Sequence, residues 1–441
     1  MNLAARLAEY YARQSYATLP ADVAAKGAEH IAYMLMLALK GHRNTEEAGQ
    51  AIALAKRLSD RGGSATIAGA ASRVQPIDAA FANATLMRAL EIDDVMFPIG
   101  VHTGLVTTSP ALAVAETQHR SGADLIAAVV AGYSIIGKLG NDTVAWAAAQ
   151  PRRPTIPFGA FGGALACGML LRLEPERLAQ AIRYAAQFAM GLAEGSVWMH
   201  YYSVVARNGL FAALLAETGG RVSDTVLEGR YGFFESFFGT VPDSVRRLAL
   251  NGEAPAEILG TTTKRYPGTG LNIVGIELMR DLVRRERLRP DDVERIDLVL
   301  SEDRKNFADG HSLGPFERWR ACSSLPFQMA MVIVDAGETN YARYYEPENP
   351  DIVRVVGRTS LTFEKGHPDE RYARFALRTK DGRVFEREGE RYEFPPLDLA
   401  AEIVAAGAGL VPERKLVRAT ELLARLDAVG DVSELMECFA P

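Results

Sequence analysis

Cysteine is scarce in this chain: Cys167, Cys322 and Cys438 are the only three in 441 residues, and no CxxC pair occurs. That excludes a disulfide framework and a thiolate zinc cluster, and it fits a reducing compartment. Excess positive charge is absent as well. Lys and Arg number 49 against 55 Asp and Glu, a net charge of −6. Such a balance gives no general attraction to nucleic acid or to an anionic membrane. The longest apolar run, Leu125 to Gly137, falls short of the roughly 20 residues that a bilayer crossing needs. Met1 to Ala12 lacks a signal-peptide core, so the expected location is cytoplasmic. GxxxxGK[ST], HExxH and GxSxG are all missing, which removes the chemistries those motifs carry. His30, His42, His119, His311 and His367 fall at no ligand spacing. They read as surface histidines, and no metal is expected.

What the chain does have is an ordinary globular composition, 48% apolar and 24% charged, with length for two or three domains. The first half reads as helix after helix: Asp22 to Lys40, Thr45 to Asp60, Pro76 to Leu90, Pro110 to His119, Leu125 to Lys138, Phe161 to Leu173, Leu178 to Leu192 and Val204 to Thr218. Alanine is dense there, which favours helix and lets helices approach closely. Leu125 to Lys138 is apolar almost all round and should be a buried helix. After about residue 262 the period changes. Val293 to Ser301, Asp351 to Phe363 and Tyr372 to Glu386 read as strands, with Lys380 to Arg383 as a hairpin turn. Glu277 to Arg287 and Cys322 to Ala336 read as helices, and so do Leu397 to Gly407 and Glu413 to Leu426. The expected fold is mainly α. A large all-helical domain, residues 1–262 plus 397–441, receives a smaller α+β domain, residues 263–396, with antiparallel strands.

Several segments resemble one family. Arg88 to Gly104 reads RALEIDDVMFPIGVHTG, similar to the MmgE/PrpD signature, which is close to HALDFDDT followed shortly by HPG or HPS. TIPFGAFGGALACGMLLRL from Thr155, VVARNGLFAALLAETG from Val204, VLEGRYGFFESFFG from Val226, KRYP from Lys264 and SSLPFQMAMVIVDAG from Ser323 resemble further parts of the family, in order along the chain. The resemblance implies a helical domain, an α+β lid, a homodimer and a cofactor-independent site in the cleft between domains. Family members include 2-methylcitrate dehydratase, cis-aconitate decarboxylase and iminodisuccinate epimerase. These share proton gain or loss at a carbon beside a carboxylate or an activated double bond, which a positioned acid/base group and carboxylate-holding cations can support.

Glu91, Asp93 and Asp94 crowd three carboxylates after a helix. Crowding raises one carboxylate's pKa and makes a proton carrier, although a solvated acidic turn has the same spacing. The resemblance places this segment at the active site, with Glu91 where the family has Asp and Val95 where it has Thr. His102 aligns with the His of HPG and is the expected general acid/base; Asp93 or Asp94 would orient it. Tyr133 stands on the apolar helix, either a core tyrosine or a group near the cleft. Arg153, beside Arg152, is a carboxylate clamp or a solvated loop residue. Trp198, His200 and Tyr201 should form a pocket wall, since the family's Lys falls at Trp198 and its His at Tyr201 or His200. Lys264 and Arg265, where the lid begins, are expected to clamp the substrate anion. Arg207 either joins them or pairs within the helical body. Gly268, Thr269 and Phe327 replace reactive family residues. The leading expectation is a lyase or epimerase acting on a small carboxylate. The alternatives are a fold that binds a metabolite without turnover and a purely structural homodimer.

Overall fold

The computed structural model describes residues 2–441 apart from 144–153, 191–198, 249, 251–253, 307–312, 317–320, 322, 339, 368 and 392–395. The chain is mainly helical, with a small sheet in its C-terminal part. It divides into two compact units, Met1–Thr263 with Asp398–Pro441, and Lys264–Leu397.

The first unit opens with α1 (Leu3–Tyr11), α2 (Ala21–Asn44), α3 (Glu46–Leu58), α4 (Pro76–Arg88), α5 (Thr103–Thr117) and α6 (Gly122–Gly140). It continues through α7 (Thr155–Leu170), α8 (Pro175–Gln187), α9 (Met199–Glu217), α10 (Phe233–Phe238) and α11 (Asp243–Arg246). Local chemistry sets the starts. The Thr45 and Ser121 hydroxyls accept from the N–H groups of Ala48 and Asp124, and Pro76 and Pro175 occupy first turns, where a missing N–H costs nothing. One expected start is corrected. Pro110 lies inside α5, which begins seven residues earlier in a Thr- and Gly-rich run. Burial of Thr103 to Glu116 overrides that run's weak propensity.

Helix α6 is the buried helix expected at Leu125 to Lys138, but it is longer than its apolar run suggests. At 19 residues it is long and apolar enough to cross a membrane by length and composition, yet it is a core helix. It packs on α7, α5 and α2 of its own chain, so its apolar surface needs no partner to cover it. The packing is close. A Cβ at Gly132 would fall 2.3 Å from the Thr107 methyl, one at Gly162 2.5 Å from the Thr107 hydroxyl, and one at Gly163 3.2 Å from the Gly209 Cα. Helices α5, α6, α7 and α9 therefore meet where there is no room for a side chain.

The unit is not purely helical. Strand β1 (Ala65–Thr66) pairs with β2 (Arg73–Val74), and β3 (Val95–Met96) pairs with β4 (Thr261–Thr262), both antiparallel.

The second unit holds α12 (Ile273–Glu286), β5 (Val293–Ser301), α13 (Leu325–Val334), α14 (Pro350–Val356), β6 (Thr359–Glu364), β7 (Ala373–Thr379) and β8 (Val384–Gly389). The sheet order is β6-β5-β7-β8. Ile296, Leu298 and Leu300 of β5 are buried in its core together with Met279, Leu282, Phe327 and Phe375. The sheet holds the expected antiparallel strands, β5 with β7 and β7 with β8, but it is mixed, since β5 runs parallel to β6. The β5–β6 connection carries α13 and α14, the length a parallel crossover requires. The stretch Asp351 to Phe363 is likewise part helix. The Asn349 side chain accepts from the Asp351 and Ile352 N–H groups, Pro350 sets the first turn, and Ile352, Val355 and Val356 are buried at helical spacing. Past the second unit, α15 (Leu399–Gly407), α16 (Glu413–Leu423) and α17 (Val432–Glu437) belong to the first; α15 packs on α2 and α17 on α5.

Candidate active site

Helix α4 ends in a turn. The Glu91 N–H donates to the Arg88 carbonyl at 2.8 Å, and Glu91 takes φ 55°, a left-handed conformation that is uncommon for a side chain this size. The chain then runs through Asp93 and Asp94 into β3 and doubles back. The Met96 N–H donates to Val101 and the Gly100 N–H to Met96, both at 2.9 Å, with Gly100 at φ 67°. This fold-back returns His102, the residue before α5, to the two aspartates.

His102 is held on two sides. Its backbone N–H donates to the Thr155 hydroxyl of α7 at 2.9 Å. Its Nδ1 lies 3.0 Å from the Asp94 carbonyl oxygen and 3.0 Å from Asp93 Oδ2. With oxygens on that side, Nδ1 carries the proton, and the basic lone pair of the neutral ring is on Nε2. The imidazole is 17% exposed, and its edge meets the Tyr202 ring of α9 at 5.9 Å.

The two aspartates have different environments, and both are fully buried. Asp93 Oδ1 accepts from Arg88 Nη1 at 2.6 Å. Arg88 also has Glu91 Oε2 at 3.6 Å and stacks over the Tyr202 ring at 4.8 Å. Burial works against the Arg88 charge, but Asp93 and Glu91 outweigh it and its pKa is raised. Asp94 is held by neutral donors. Its Oδ1 accepts from the Gly104 N–H at 2.9 Å, at the positive start of α5, and its Oδ2 from the Tyr133 hydroxyl at 2.6 Å. Burial, and then the Asp94 charge, push the Tyr133 phenol well up. It stays protonated as a donor to Asp94.

The segment carrying this cluster lies in a region with known relatives. Residues 5–245 match the MmgE/PrpD N-terminal domain. The chain belongs to the MmgE/PrpD family. It is 31% identical over 192 residues to a cis-aconitate decarboxylase of Aspergillus terreus, 40% of this chain and 38% of the relative. It is also 31% identical over 188 residues to a cis-aconitate decarboxylase-like protein of Aspergillus oryzae, 40% of this chain and 39% of that relative. The match thus spans well under half the length of these relatives.

In this MmgE/PrpD family member His200 turns to α3 and α4. His200 Nε2 faces Gln50 Oε1 at 3.0 Å and its ring stacks on Phe81, while burial lowers its pKa. Tyr201 is half-buried on α9, and its neighbour Tyr202 is the aromatic residue that meets His102. Arg207 is exposed on α9 and is not brought to the cluster. Arg153 and Trp198 lie outside the described residues. Lys264 and Arg265 begin the second unit. Lys264 is buried there, its Nζ donating to the Gly268 carbonyl at 2.8 Å, and Arg265 is half-buried. Thr269 caps the Leu271 N–H, and Phe327 packs on Phe316.

Sequence reasoning missed Arg88, Thr155 and His30, and placed Tyr202 only within an aromatic pocket wall. His30 corrects the surface reading: it is fully buried on α2, with Nδ1 3.1 Å from the Lys26 carbonyl and Nε2 4.0 Å from Asp94 Oδ2, beyond hydrogen-bond reach. Asp94 at that distance favours an imidazolium, yet burial wins, and His30 is pushed down to about 3. It is neutral at physiological pH. Among the described residues, no group of three or more His, Cys, Asp or Glu is placed to hold a metal ion.

Proposed function

We propose that this MmgE/PrpD protein moves a proton at a carbon beside a carboxylate of a small carboxylic acid, as a lyase or an epimerase, with His102 as general acid/base. The observation that carries the reading is the His102 imidazole: part-exposed, with Nδ1 at 3.0 Å from both the Asp93 carboxylate and the Asp94 carbonyl. The Asp94 carbonyl at Nδ1 fixes the tautomer, and the Asp93 carboxylate beside it stabilises the imidazolium that forms when Nε2 takes a proton. The decarboxylase names of the relatives favour the lyase form. There the C–CO₂ bond breaks, its electron pair passes into the conjugated acid, and His102 delivers a proton to carbon. In the epimerase form the same group removes a proton and one returns. Neither course requires a cofactor.

The test is deuterium uptake in D₂O across cis-aconitate, 2-methylcitrate, iminodisuccinate and simpler dicarboxylates, followed by NMR. Uptake at carbon that disappears in His102→Asn supports the reading. Saturable binding without uptake for any compound in the panel would leave a metabolite-binding protein instead.

A further inference from the structure

The His102–Asp93 pair does not stand alone. Asp93 has one oxygen facing the imidazole and the other on Arg88 Nη1 at 2.6 Å. Arg88 itself has little freedom. It is the last residue of α4, its side chain is 7% exposed, its guanidinium lies over Tyr202 at 4.8 Å, and Glu91 Oε2 approaches Nη2 at 3.6 Å. Tyr202 touches both ends of the arrangement: Arg88 lies over its ring, and the His102 ring meets it nearly at right angles. The left-handed turn at Glu91 brings that residue's carboxylate back to the Arg88 side chain.

We propose that Arg88 is a positioning residue of the His102–Asp93 pair: clamped by Tyr202 and Glu91, its guanidinium fixes which Asp93 oxygen meets the imidazole and sets how tightly the pair holds its proton. The inference rests on His102 being the proton carrier proposed above and adds the group that tunes it. A planar guanidinium donates along two fixed directions, so it orients a carboxylate as well as neutralising it. The groups facing the pair are Asp94 and Glu91 on its own segment, Arg88 from α4, Tyr202 from α9, Tyr133 from α6, Thr155 from α7 and His30 from α2. His30 is neutral and Tyr133 stays protonated, so Arg88 is the cation that acts on Asp93 among these groups. Removing a cation beside two coupled groups raises their shared proton affinity whichever of them holds the proton.

The experiment needs no substrate. The protein is labelled with ¹³C-histidine, and the His102 resonance, identified by its loss in His102→Asn, is titrated by NMR. In Arg88→Met the midpoint should rise by about one pH unit, the scale of a lost neighbouring opposite charge. In Glu91→Gln, which removes an anion from the same cluster, it should fall by a smaller amount. Arg88→Lys should keep the midpoint near the parent's while lowering kcat in any exchange reaction found, because the charge stays and the fork is lost. Circular dichroism checks folding; if Arg88→Met does not fold, Glu91→Gln decides. A folded Arg88→Met titrating within about 0.2 pH units of the parent would overturn the inference, as would a midpoint in Glu91→Gln that rises or stays put. The expected shifts without turnover of any carboxylate would count against the proposed function and leave the pairing intact. Turnover that depends on His102, with unmoved midpoints, would do the reverse.

Discussion

A neutral histidine sealed beside an aspartate makes a quantitative demand on stability. His30 is fully buried on α2, and its pKa is held at about 3 against an ordinary 6.5, chiefly by burial and then by the Lys26 charge. Because the folded pKa lies below the unfolded one, the unfolded chain takes up a proton first as the pH falls. The stability that His30 contributes by staying neutral is fully present above pH 6.5 and drains away toward pH 3. Each pH unit crossed below 6.5 is worth about 1.4 kcal/mol. Lowering the pH from 7.5 to 5.0 should therefore cost the first unit about 2 kcal/mol through His30 alone, with most of a ~5 kcal/mol total reached only near pH 3. The control is His30→Asn, which keeps a donor for the Lys26 carbonyl but does not titrate. Urea unfolding followed by circular dichroism, for parent and variant at pH 7.5 and 5.0, gives the difference of differences and cancels the titration of every other group. The parent's advantage over His30→Asn should shrink by about 2 kcal/mol between the two pH values. A change below about 0.5 kcal/mol would refute the reasoning. It would mean that His30 accepts a proton in the folded protein and that Asp94 has a cation beside it.

His102→Asn should preserve folding and anion binding and lower turnover by roughly 10²–10⁴-fold; a rate within about threefold of the parent in steady-state kinetics would remove His102 as the acid/base group. Glu116 is buried on α5, and burial raises its pKa despite hydrogen bonds from Thr66 and the nearby Arg73. Its folded pKa lies above the unfolded value, so its contribution is present below pH 4.5 and falls as the pH rises through the folded value. Thermal melts of Glu116→Gln should show a flatter decline with rising pH than the parent's, and parallel curves would contradict that. The homodimer implied by family membership predicts a light-scattering mass of twice 47.9 kDa at micromolar concentration, and a monomeric mass would sink it.

The helical half was largely legible because helical period and start signals agree there: Pro76 marks a real first turn, and Thr45 a real cap. Sequence misled where tertiary burial overrides local preference. Pro110 looks like a beginning and sits inside α5. The β-branched run Ile352, Val353, Val355, Val356 looks like strand, yet an Asn-Pro start and a buried face make it α14. The site was legible only as far as it is contiguous. Asp93, Asp94 and His102 lie within ten residues and could be read together, whereas Tyr133 was visible only as a residue on an apolar helix. His30 comes to Asp94 from 64 positions upstream, and no spacing rule announces such an approach. Arg88 stood in plain view near the end of the expected helix Pro76 to Leu90, but its partners became evident only once the left-handed turn at Glu91 was known.

The glycine-lined helix crossings have a consequence for how this protein tolerates change. Thr155 stands seven residues before Gly162 on α7, Tyr202 seven before Gly209 on α9, and Tyr133 directly follows Gly132 on α6. Each helix therefore acts as a short lever, pivoted at a crossing that admits no methyl group and tipped by a group that touches His102 on α7 and α9, about two turns away, and Asp94 on α6. An alanine at 162 would touch nothing in the candidate cluster, yet by wedging α7 from α5 it would swing the Thr155 hydroxyl away from the His102 N–H. Laboratory evolution of this site should thus find permissive positions around the cluster itself and a distant, silent set of glycines where almost every change is punished as lost activity.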